Sequence, residues 1–425
     1  MCRNRKLFTL AAMLVASVLV VAATPSLWAQ SNSKNLHTFT KEGAGGSEPT
    51  GGLVMDQVGN LYGTAAFGGT REDGTVFKLT PGSNGHWTET VLHSFLGGED
   101  GSIPIASMVF DQAGNLYGTT AAGGAQNWGT VFELTANSNG SWTESVLYSF
   151  CSVNKCSDGG SPASSLIFDS AGNLYGTTRE GGTTGCGSVG CGTVFELMPQ
   201  SNGSWKENVL YTFCPTGKCT DGEAPYAGVI FDQAGNLYGT TNMGGSGKGP
   251  YGTVFELSPN SDGSWKETVL HSFCNLSKCL DGDNPLDSLV FDQSGNLYGT
   301  AELGGEVGGG IVFELSPNSN GTWQGKILHS FAGKDGDAPY ANLIFDQAGN
   351  LYGTTFEGGP GGGGVVFELK PNGHGGWDDY VLHNFYDNPG AIVFAGVIMD
   401  PAGNLYGVTY GDSNNTFGSV FEIMP

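Results

Sequence analysis

The ten residues FDQAGNLYGT, which begin at Phe110, recur along the whole chain. Identical or closely similar copies begin at Met55, Phe168, Phe231, Phe291, Phe345 and Met399. Self-similarity of this kind marks a repeat architecture, in which each unit buries its apolar face against its neighbours. The seven copies therefore indicate that the 425 residues form one tandem array rather than several unrelated domains.

Each repeat contains four short apolar motifs: a run such as SLVFD, then NLYGT, VFEL and VLHSF. VFEL begins at Val76, Val131, Val194, Val254, Val312, Val366 and Val420, and VLHSF or its variants begin at Asn35, Val91, Val146, Val209, Val269, Ile327 and Val381. The motifs are rich in β-branched, aromatic and Leu residues and are bounded by Gly, Asn, Asp or Pro, so they predict strands. Four strands in each unit of 54 to 63 residues, seven times over, are typical of an all-β propeller.

The ends of the array predict how the ring closes. The chain begins with a lone fourth motif at Asn35–Phe39 and ends with a third motif at Ser419–Ile423. An N-terminal strand that completed the last blade would leave no open sheet edge there. We therefore predict a single domain, residues 30–425, that forms a seven-bladed β-propeller with four antiparallel strands per blade.

The first 29 residues have the pattern of a secretory signal peptide. Three basic residues in the first six are followed by the apolar run Leu7–Ala23, and the small residue Ala29 offers a cleavage point. A retained membrane anchor is the alternative, but the run is short and Pro25 follows it. We expect a secreted or periplasmic protein with no membrane association after cleavage.

The charge restricts the partners. The formal net charge is −23 and the isoelectric point is about 4.4. Nucleic acids and anionic membranes reward a basic face, so neither is expected as a partner. We expect a monomer whose ligand is a protein or a glycan.

Eight cysteines after the leader fall into four pairs, each with four intervening residues. The pairs are Cys151/Cys156, Cys186/Cys191, Cys214/Cys219 and Cys274/Cys279. An even number in an exported chain favours disulfides. Zinc is the alternative, but no pair has a two-residue spacer or a nearby pair of histidines, so we predict no metal site.

The repeated D-x-x-G-N sequence, for example Asp111 to Asn115, predicts a hairpin turn between the first two strands. Asp favours the first turn position, and Gly and Asn tolerate left-handed backbone. A calcium loop is the alternative, but each turn offers only one carboxylate. The Leu-Tyr that follows is expected to pack between blades. The His of VLHSF is replaced by Tyr148 and Tyr211 in two blades, which favours packing over metal ligation.

Loop lengths distinguish the two faces of the predicted disc. The step from VFEL to the next VLHSF is 15 residues in all six cases. On the opposite face the connections vary in length, and every cysteine pair falls in one of the longest. Insertions in repeat proteins gather on one face, which is often the binding face. Random drift in the length of exported loops is the alternative.

The variable face offers two sets of candidate residues. A single ligand should contact residues that differ between blades, and the residues after YGT differ: Arg179, Asn242, Glu302, Phe356 and Tyr410. We predict these as the ligand-binding candidates, with no catalytic residue and no cofactor. The second set is a D-G-x-x-P motif, with Asp100, Asp158, Asp221, Asp281 and Asp335. We interpret this motif as a turn. The alternative is that its carboxylates form a ring around the channel mouth and bind a cation.

The tandem unit D-x-x-G-N-L-Y-G-T, followed by G-G and then G-T-V-F-E-L, resembles the GloVer repeat family of exported bacterial proteins. The resemblance covers nearly the whole chain after the leader, and it implies a tandem-repeat propeller with no assigned reaction. In strand order the chain is also similar to NHL-type propellers, which are mostly binding platforms.

The expected function is that of a secreted, non-enzymatic platform that binds a protein or a glycan on its variable face. One alternative is a lyase or hydrolase that acts on polysaccharide at the channel mouth, and another is a structural component of the envelope or matrix. A binder should show exposed aromatic residues at the mouth. An enzyme should show converging charged groups with a His or Tyr, and a structural protein should show neither.

Overall fold

The computed structural model of the chain describes residues 32–40, 45–182, 185–187, 189–247, 249–386, 392–411 and 417–425. The predicted leader, residues 1–29, lies outside the described residues. Seven antiparallel sheets form the blades of a propeller around a central channel, which confirms the predicted fold. Among the described residues, no helix is long and apolar enough to cross a membrane.

The first and second strands of each blade are its inner strands, and the first lies nearest the channel. The first strands are Val54–Met55, Val109–Phe110, Ile167–Phe168, Ile230–Phe231, Val290–Phe291, Ile344–Phe345 and Ile398–Met399. The second strands are Leu61–Gly68, Leu116–Thr120, Leu174–Thr178, Leu237–Thr241, Leu297–Ala301, Leu351–Thr355 and Leu405–Thr409. Only the last two residues of each SLVFD-type apolar run are paired, so the innermost strand is shorter than the motif suggests.

The two outer strands are longer. The third strands are Thr75–Pro81, Thr130–Ala136, Thr193–Pro199, Thr253–Pro259, Ile311–Pro317, Gly362–Pro371 and Ser419–Met424. The fourth strands are Trp87–Ser94, Trp142–Ser149, Trp205–Thr212, Trp265–Ser272, Trp323–Ser330, Trp377–Tyr386 and, for the last blade, Asn32–Thr38. Blade 1 has a further short strand, Gly46–Pro49. The part of the chain that the structure describes also contains three 3-10 helices, at Gly98–Asp100, Asn154–Cys156 and Ser277–Cys279.

The repeated NLYGT motif is explained by four separate contacts, seen clearly in blade 2. Leu116 is fully buried in the blade core. Tyr117 packs on Phe168 of the next blade, with ring centroids 5.0 Å apart. A Cβ on Gly118 would lie only 2.7 Å from the Phe132 ring, so no side chain fits there. Thr119 donates a hydrogen bond across the blade boundary to a backbone carbonyl, at 3.1 Å. The prediction that Leu-Tyr packs between blades is confirmed.

The D-x-x-G-N turn uses its carboxylate entirely for local hydrogen bonds. Asp111 Oδ1 accepts the backbone N–H groups of Ala113 and Asn115, both at 2.8 Å, and Oδ2 accepts the Asn115 side-chain amide at 2.9 Å. Gly114 has φ +88°, in the left-handed region that favours glycine. These contacts confirm the hairpin turn and leave the carboxylate no free oxygen for calcium.

The ring closes as predicted. Strand Asn32–Thr38 pairs antiparallel with Ser419–Met424, from Asn32 opposite Met424 to Thr38 opposite Ser419. The pairing contains a bulge between Asn35 and His37, and the other six blades have a bulge at the equivalent position of the fourth strand. The N-terminal segment is therefore a regular fourth strand of blade 7.

Candidate functional site

The central channel contains a cavity of about 540 Å³ that is lined by all seven blades. Its wall is formed by the residues that precede each first strand and, in blades 3 to 7, by the first residue of that strand. One of these residues stands at the mouth on the variable face in every blade, and in six blades the next residue is Gly, Ala or Ser, for example Ala106 or Ala341. The mouth residues are Thr50, Ile105, Ala163, Tyr226, Leu286, Tyr340 and Phe394. The mouth is therefore lined unequally, with its large aromatic residues in blades 4, 6 and 7.

Four aromatic side chains of blades 6 and 7 form a continuous surface at the mouth, called here the aromatic wall. It consists of Tyr340, Phe356, Phe394 and Tyr410. Ring centroids lie 4.9 Å apart between Tyr340 and Phe356, and 6.0 Å apart between Phe394 and Tyr410. Phe394 is 37% exposed, although it is a large apolar residue. Two predicted candidates, Phe356 and Tyr410, thus belong to one surface.

Carboxylates accept hydrogen bonds from the two tyrosine hydroxyls of the aromatic wall. Tyr340 donates its hydroxyl hydrogen to Glu302 at 3.1 Å, which brings a third predicted candidate to the wall. Burial and the neighbouring Glu302 raise the pKa of Tyr340 to about 12, with smaller effects from Glu357 and Tyr226. Tyr410 donates in the same way to Glu48. The tyrosine rings are therefore neutral and fixed in orientation, and carboxylates flank them.

Arg179 forms a separate pair with Tyr226 on another part of the mouth. The guanidinium lies over the Tyr226 ring, 5.3 Å from its centroid, and donates to the Tyr226 hydroxyl at 3.3 Å. It also forms an ion pair with Glu180 at 2.5 Å. Asn242 occupies the equivalent position in blade 4 and is only 7% exposed. The structure therefore brings three of the five candidates to the wall, places Arg179 with Tyr226, and buries Asn242.

The mouth residues, which in five blades follow the proline of D-G-x-x-P, were not predicted from the sequence. The available signal was the same one that gave the other candidates, because this position also differs between blades: Thr50, Ile105, Ala163, Tyr226, Leu286, Tyr340 and Phe394. Only the fold shows that both variable positions meet at the channel.

One carboxylate lies inside the channel wall, at a position where neighbouring blades carry alanine. Asp287 accepts the backbone N–H of Ser288 at 2.6 Å and that of Asn342 at 2.8 Å, one with each oxygen. Burial raises the pKa of Asp287 to about 6 despite these hydrogen bonds. Since Asn342 belongs to the next blade, Asp287 joins blades 5 and 6.

The Asp residues of D-G-x-x-P lie beside the fourth, outermost strands and not around the channel. Asp158 accepts the Tyr148 hydroxyl at 2.8 Å, and Asp100 contacts His93 Nε2 at 3.1 Å. The ring of His93 also packs edge-on against Phe95, as predicted for a packing residue. His and Tyr alternate at this position because both can donate a hydrogen bond to the same aspartate. The hypothesis of a cation-binding ring at the mouth is therefore wrong in its geometry.

Four of these five aspartates, Asp100, Asp158, Asp221 and Asp335, face a second carboxyl group from the fourth strand of the next blade. Asp158 faces Glu207, and burial followed by repulsion from Asp158 raises the pKa of Glu207 to about 8. The same causes raise the pKa of Glu267, opposite Asp221, to about 7. In two further interfaces the pair is joined by a histidine, in the clusters His93–Asp100–Glu144 and His329–Asp335–Asp379. These paired carboxyls, called here the rim pairs, mark the junctions between blades.

All four predicted cysteine pairs are closed as disulfides within their own loops. They are Cys151–Cys156, Cys186–Cys191, Cys214–Cys219 and Cys274–Cys279. Each links residues five positions apart on the variable face. The prediction of local disulfides is confirmed.

Comparison with known proteins agrees with the repeat pattern. The model of a family described as the Gloeobacter/Verrucomicrobia repeat matches residues 86–279 and 247–425. No curated protein matches the chain. The two matched stretches overlap and run from the start of the fourth strand of blade 1 to the last residue, which is most of the sequence. The chain therefore belongs to the Gloeobacter/Verrucomicrobia repeat family.

Proposed function

We propose that the protein is a non-enzymatic binding platform that holds a glycan at the channel mouth on its variable face. The observation that carries the proposal is the aromatic wall, in which Tyr340 and exposed Phe394 line one side of the cavity and the rings of Phe356 and Tyr410 pack against Phe394. Ligand sites are typically concave, mostly apolar and supplied with a few oriented polar groups. A large aromatic residue left exposed in such a site has no role in the core.

The chemistry of the wall favours a sugar over a protein surface. A pyranose ring presents a face of C–H groups that stacks on an aromatic ring, and hydroxyls at its edge that pair with polar groups. The wall offers both features, since the carboxylates of Glu302 and Glu48 stand beside the Tyr340 and Tyr410 rings. A flat protein surface would contact the rim of the mouth and leave the cavity unfilled.

The charge around the wall narrows the class of glycan. Glu302 and Glu357 both lie close enough to Tyr340 to raise its pKa, and Glu48 lies against Tyr410. Like charges placed face to face disfavour binding. We therefore propose a neutral or amino-sugar glycan and expect uronic acid polymers to bind more weakly.

A polysaccharide lyase or hydrolase is the second candidate, because Arg179, Glu302 and several tyrosines do converge at the mouth. Each of these charged groups, however, already has a protein partner: Arg179 pairs with Glu180, and Glu302 accepts from Tyr340. Asp287, which has a raised pKa, uses both oxygens to bind backbone N–H groups. These pairings support binding rather than acid–base chemistry. Release of reducing ends or unsaturated products from a bound polysaccharide would favour the enzyme instead.

We further propose that the protein works outside the cytoplasm as a monomer. The four disulfides support export, because such bonds persist in oxidising compartments. Closure of the ring supports a monomer, because it leaves no open sheet edge between the last and first blades. Cell fractionation and light scattering of the purified chain test the two statements.

Binding is tested with soluble neutral, amino-sugar and uronic acid polysaccharides by affinity electrophoresis and calorimetry. Phe394→Ala and Phe356→Ala should weaken binding at least about tenfold, since each removes about 1.4 kcal/mol or more of contact. Tyr386→Ala is the matched control, because Tyr386 is an aromatic residue that is 64% exposed but lies at the end of an outermost strand. Equal losses of glycan binding in all three variants would contradict the proposal. A protein ligand that the Phe394 and Phe356 variants still bound as tightly as the wild type would also contradict it.

A further inference from the structure

Two of the four disulfides lie in direct contact, although they belong to different loops. Cys186–Cys191 lies in the connection between strands two and three of blade 3, and Cys214–Cys219 lies in the connection from blade 3 to blade 4. The Sγ atoms of Cys186 and Cys219 are 3.7 Å apart. All four sulfurs lie within 4.8 Å of one another.

This clustering is specific to one place. Among the residues that the structure describes, the other two disulfides, Cys151–Cys156 and Cys274–Cys279, enter no such group of sulfurs. All four pairs have the same spacing in sequence. Spacing therefore does not explain the contact; the folding of the two loops against each other does.

The separation of the sulfurs fits a metal site. Zinc binds thiolate sulfur at about 2.3 Å, so the sulfurs of a tetrahedral four-thiolate site are about 3.8 Å apart. The gap between Cys186 and Cys219 already has this length. Within each pair the Cα atoms are 5.2 Å and 4.1 Å apart, so parallel side chains can place opened sulfurs at the same separation.

The surroundings shape the cluster and protect it. Cys191 and Cys214 are 0% exposed, in an apolar core that includes Phe213 and Val229. A Cβ on Gly185 would lie 3.3 Å from Cys214 Sγ and 3.4 Å from Cys191 Sγ. The loop therefore carries glycine at the point where any side chain would press on the sulfurs. Such a pocket limits access of water and of competing ligands to an ion.

We propose that Cys186, Cys191, Cys214 and Cys219 form a redox-convertible zinc site. Under oxidising conditions they are two disulfides, and under reducing conditions they bind one zinc ion through four thiolates. A dithiol reductant supplies two electrons and two protons to each disulfide, which becomes two thiols while the reductant is oxidised to its own disulfide. The zinc ion then displaces four thiol protons to solvent. In this form the metal keeps the two loops joined after the disulfides open.

The proposal is tested in the full chain with two matched variants. The first keeps Cys186, Cys191, Cys214 and Cys219 and replaces the other five cysteines with Ser. The second keeps Cys151, Cys156, Cys274 and Cys279 and replaces the remaining five. Both variants and the wild type are reduced, separated from reductant and titrated with Co²⁺, whose absorption spectrum distinguishes tetrahedral thiolate ligation. Zinc is then added to displace the cobalt.

We expect one cobalt ion per chain, with a four-thiolate spectrum, in the reduced wild type and in the first variant. The oxidised wild type and the second variant should bind none. Cys214→Ser in the first variant should weaken zinc binding more than about 100-fold, since loss of even outer-shell partners costs 10–100-fold. Equal cobalt binding by both variants, binding by the oxidised chain, or no binding by the reduced wild type would overturn the proposal. If a variant fails to fold, cobalt titration of the reduced and the oxidised wild type still tests the proposal.

Discussion

The ring of Phe39, just after the closing strand, packs edge-to-face on the ring of Phe77 in blade 1, with centroids 5.0 Å apart. The same pair recurs at the other blade junctions, for example between Phe95 and Phe132 at 5.2 Å. Phe39 is 2% exposed, as deeply buried as its counterparts. The closing junction therefore repeats the internal ones, and its contribution to stability should be of the same size.

The first prediction follows from this equivalence. Phe39→Ala and Phe95→Ala should each lower the free energy of unfolding by about 3–5 kcal/mol, because each removes a buried ring and leaves a cavity. Deletion of residues 30–40 should lower the melting temperature further, since it exposes the edge of Ser419–Met424. Thermal and urea unfolding measure both effects. A deletion variant that melts like the wild type would refute closure by the N-terminal strand.

The second prediction concerns the repeated glycines. Gly114 has φ +88° and open space around it, so Gly114→Val should cost about 1–3 kcal/mol through backbone strain alone. Gly114→Asn is the control and should cost less, because Asn tolerates left-handed backbone. Gly118→Ala should destabilise by a different route, since its Cβ meets the Phe132 ring. Urea midpoints of the three variants test the ranking, and equal costs for Val and Asn at position 114 would contradict the strain argument.

The sequence was sufficient for the architecture because identical blades repeat identical contacts. The motif around Leu116, Tyr117 and Thr119 recurs in nearly every blade, and its period alone predicts the ring. Trp205, at the start of the fourth strand of blade 3, packs on Tyr117 of the preceding blade. Such contacts follow from the repeat once the strand order is known.

The candidate site was predicted only in part, because its residues belong to different blades and come into contact only when the blades are arranged in the ring. The repeat pattern does not show which of them meet. Glu302 and Tyr340 are 38 positions apart and meet only when blades 5 and 6 are side by side. The contact between Cys186 and Cys219 depends in the same way on how two loops fold together. Sequence spacing carries no information about either distance.

The third prediction concerns pH and the rim pair Asp158–Glu207. Asp158 is 1% exposed, and its Oδ1 and Glu207 Oε1 have no hydrogen-bond partner among the described residues. A proton shared between the two carboxyls would satisfy both oxygens. Burial and Asp158 raise the pKa of Glu207 from 4.5 to about 8, so the folded state holds a proton that the unfolded state releases. Stability is therefore greatest below the unfolded pKa and is lost as the pH rises through about 8.

Glu207→Gln tests this prediction, because the amide keeps a hydrogen-bond donor toward Asp158 at every pH. The wild-type urea midpoint should fall as the pH rises from about 4.5 to about 8, and the variant should lose this contribution to the fall. Glu99→Gln is the control, since Glu99 is exposed and belongs to no rim pair. An unchanged pH profile in Glu207→Gln would show that the pair does not share a proton.

The fourth prediction separates the mouth from the architecture. Arg179→Ala and Phe356→Ala should change the free energy of unfolding by only about 0.5 kcal/mol, because both side chains are partly exposed and occur in one blade each. The same variants should weaken ligand binding. Unfolding of either variant under conditions where Gly114→Val stays folded would show that function and architecture were assigned to the wrong faces.

The last prediction concerns Asp287, the carboxylate inside the channel wall. Its removal in Asp287→Ala leaves the backbone N–H groups of Ser288 and Asn342 without their acceptor, at a cost of about 1–3 kcal/mol each where water does not replace it. Asp287→Asn keeps one acceptor oxygen and should recover part of the loss. Because the folded pKa of about 6 lies above the ordinary value of 3.8, the stability that the protonated group adds is lost as the pH rises through about 6. The alanine variant should therefore have a flatter profile of urea midpoint against pH than the wild type across that range.

If Asp287 acts instead as a catalytic acid, Asp287→Asn should keep its stability and abolish release of reducing ends from every polysaccharide that the wild type cleaves. If no cleavage is detected and Asp287→Ala unfolds earlier than the asparagine variant, the carboxylate is a cross-link between blades 5 and 6.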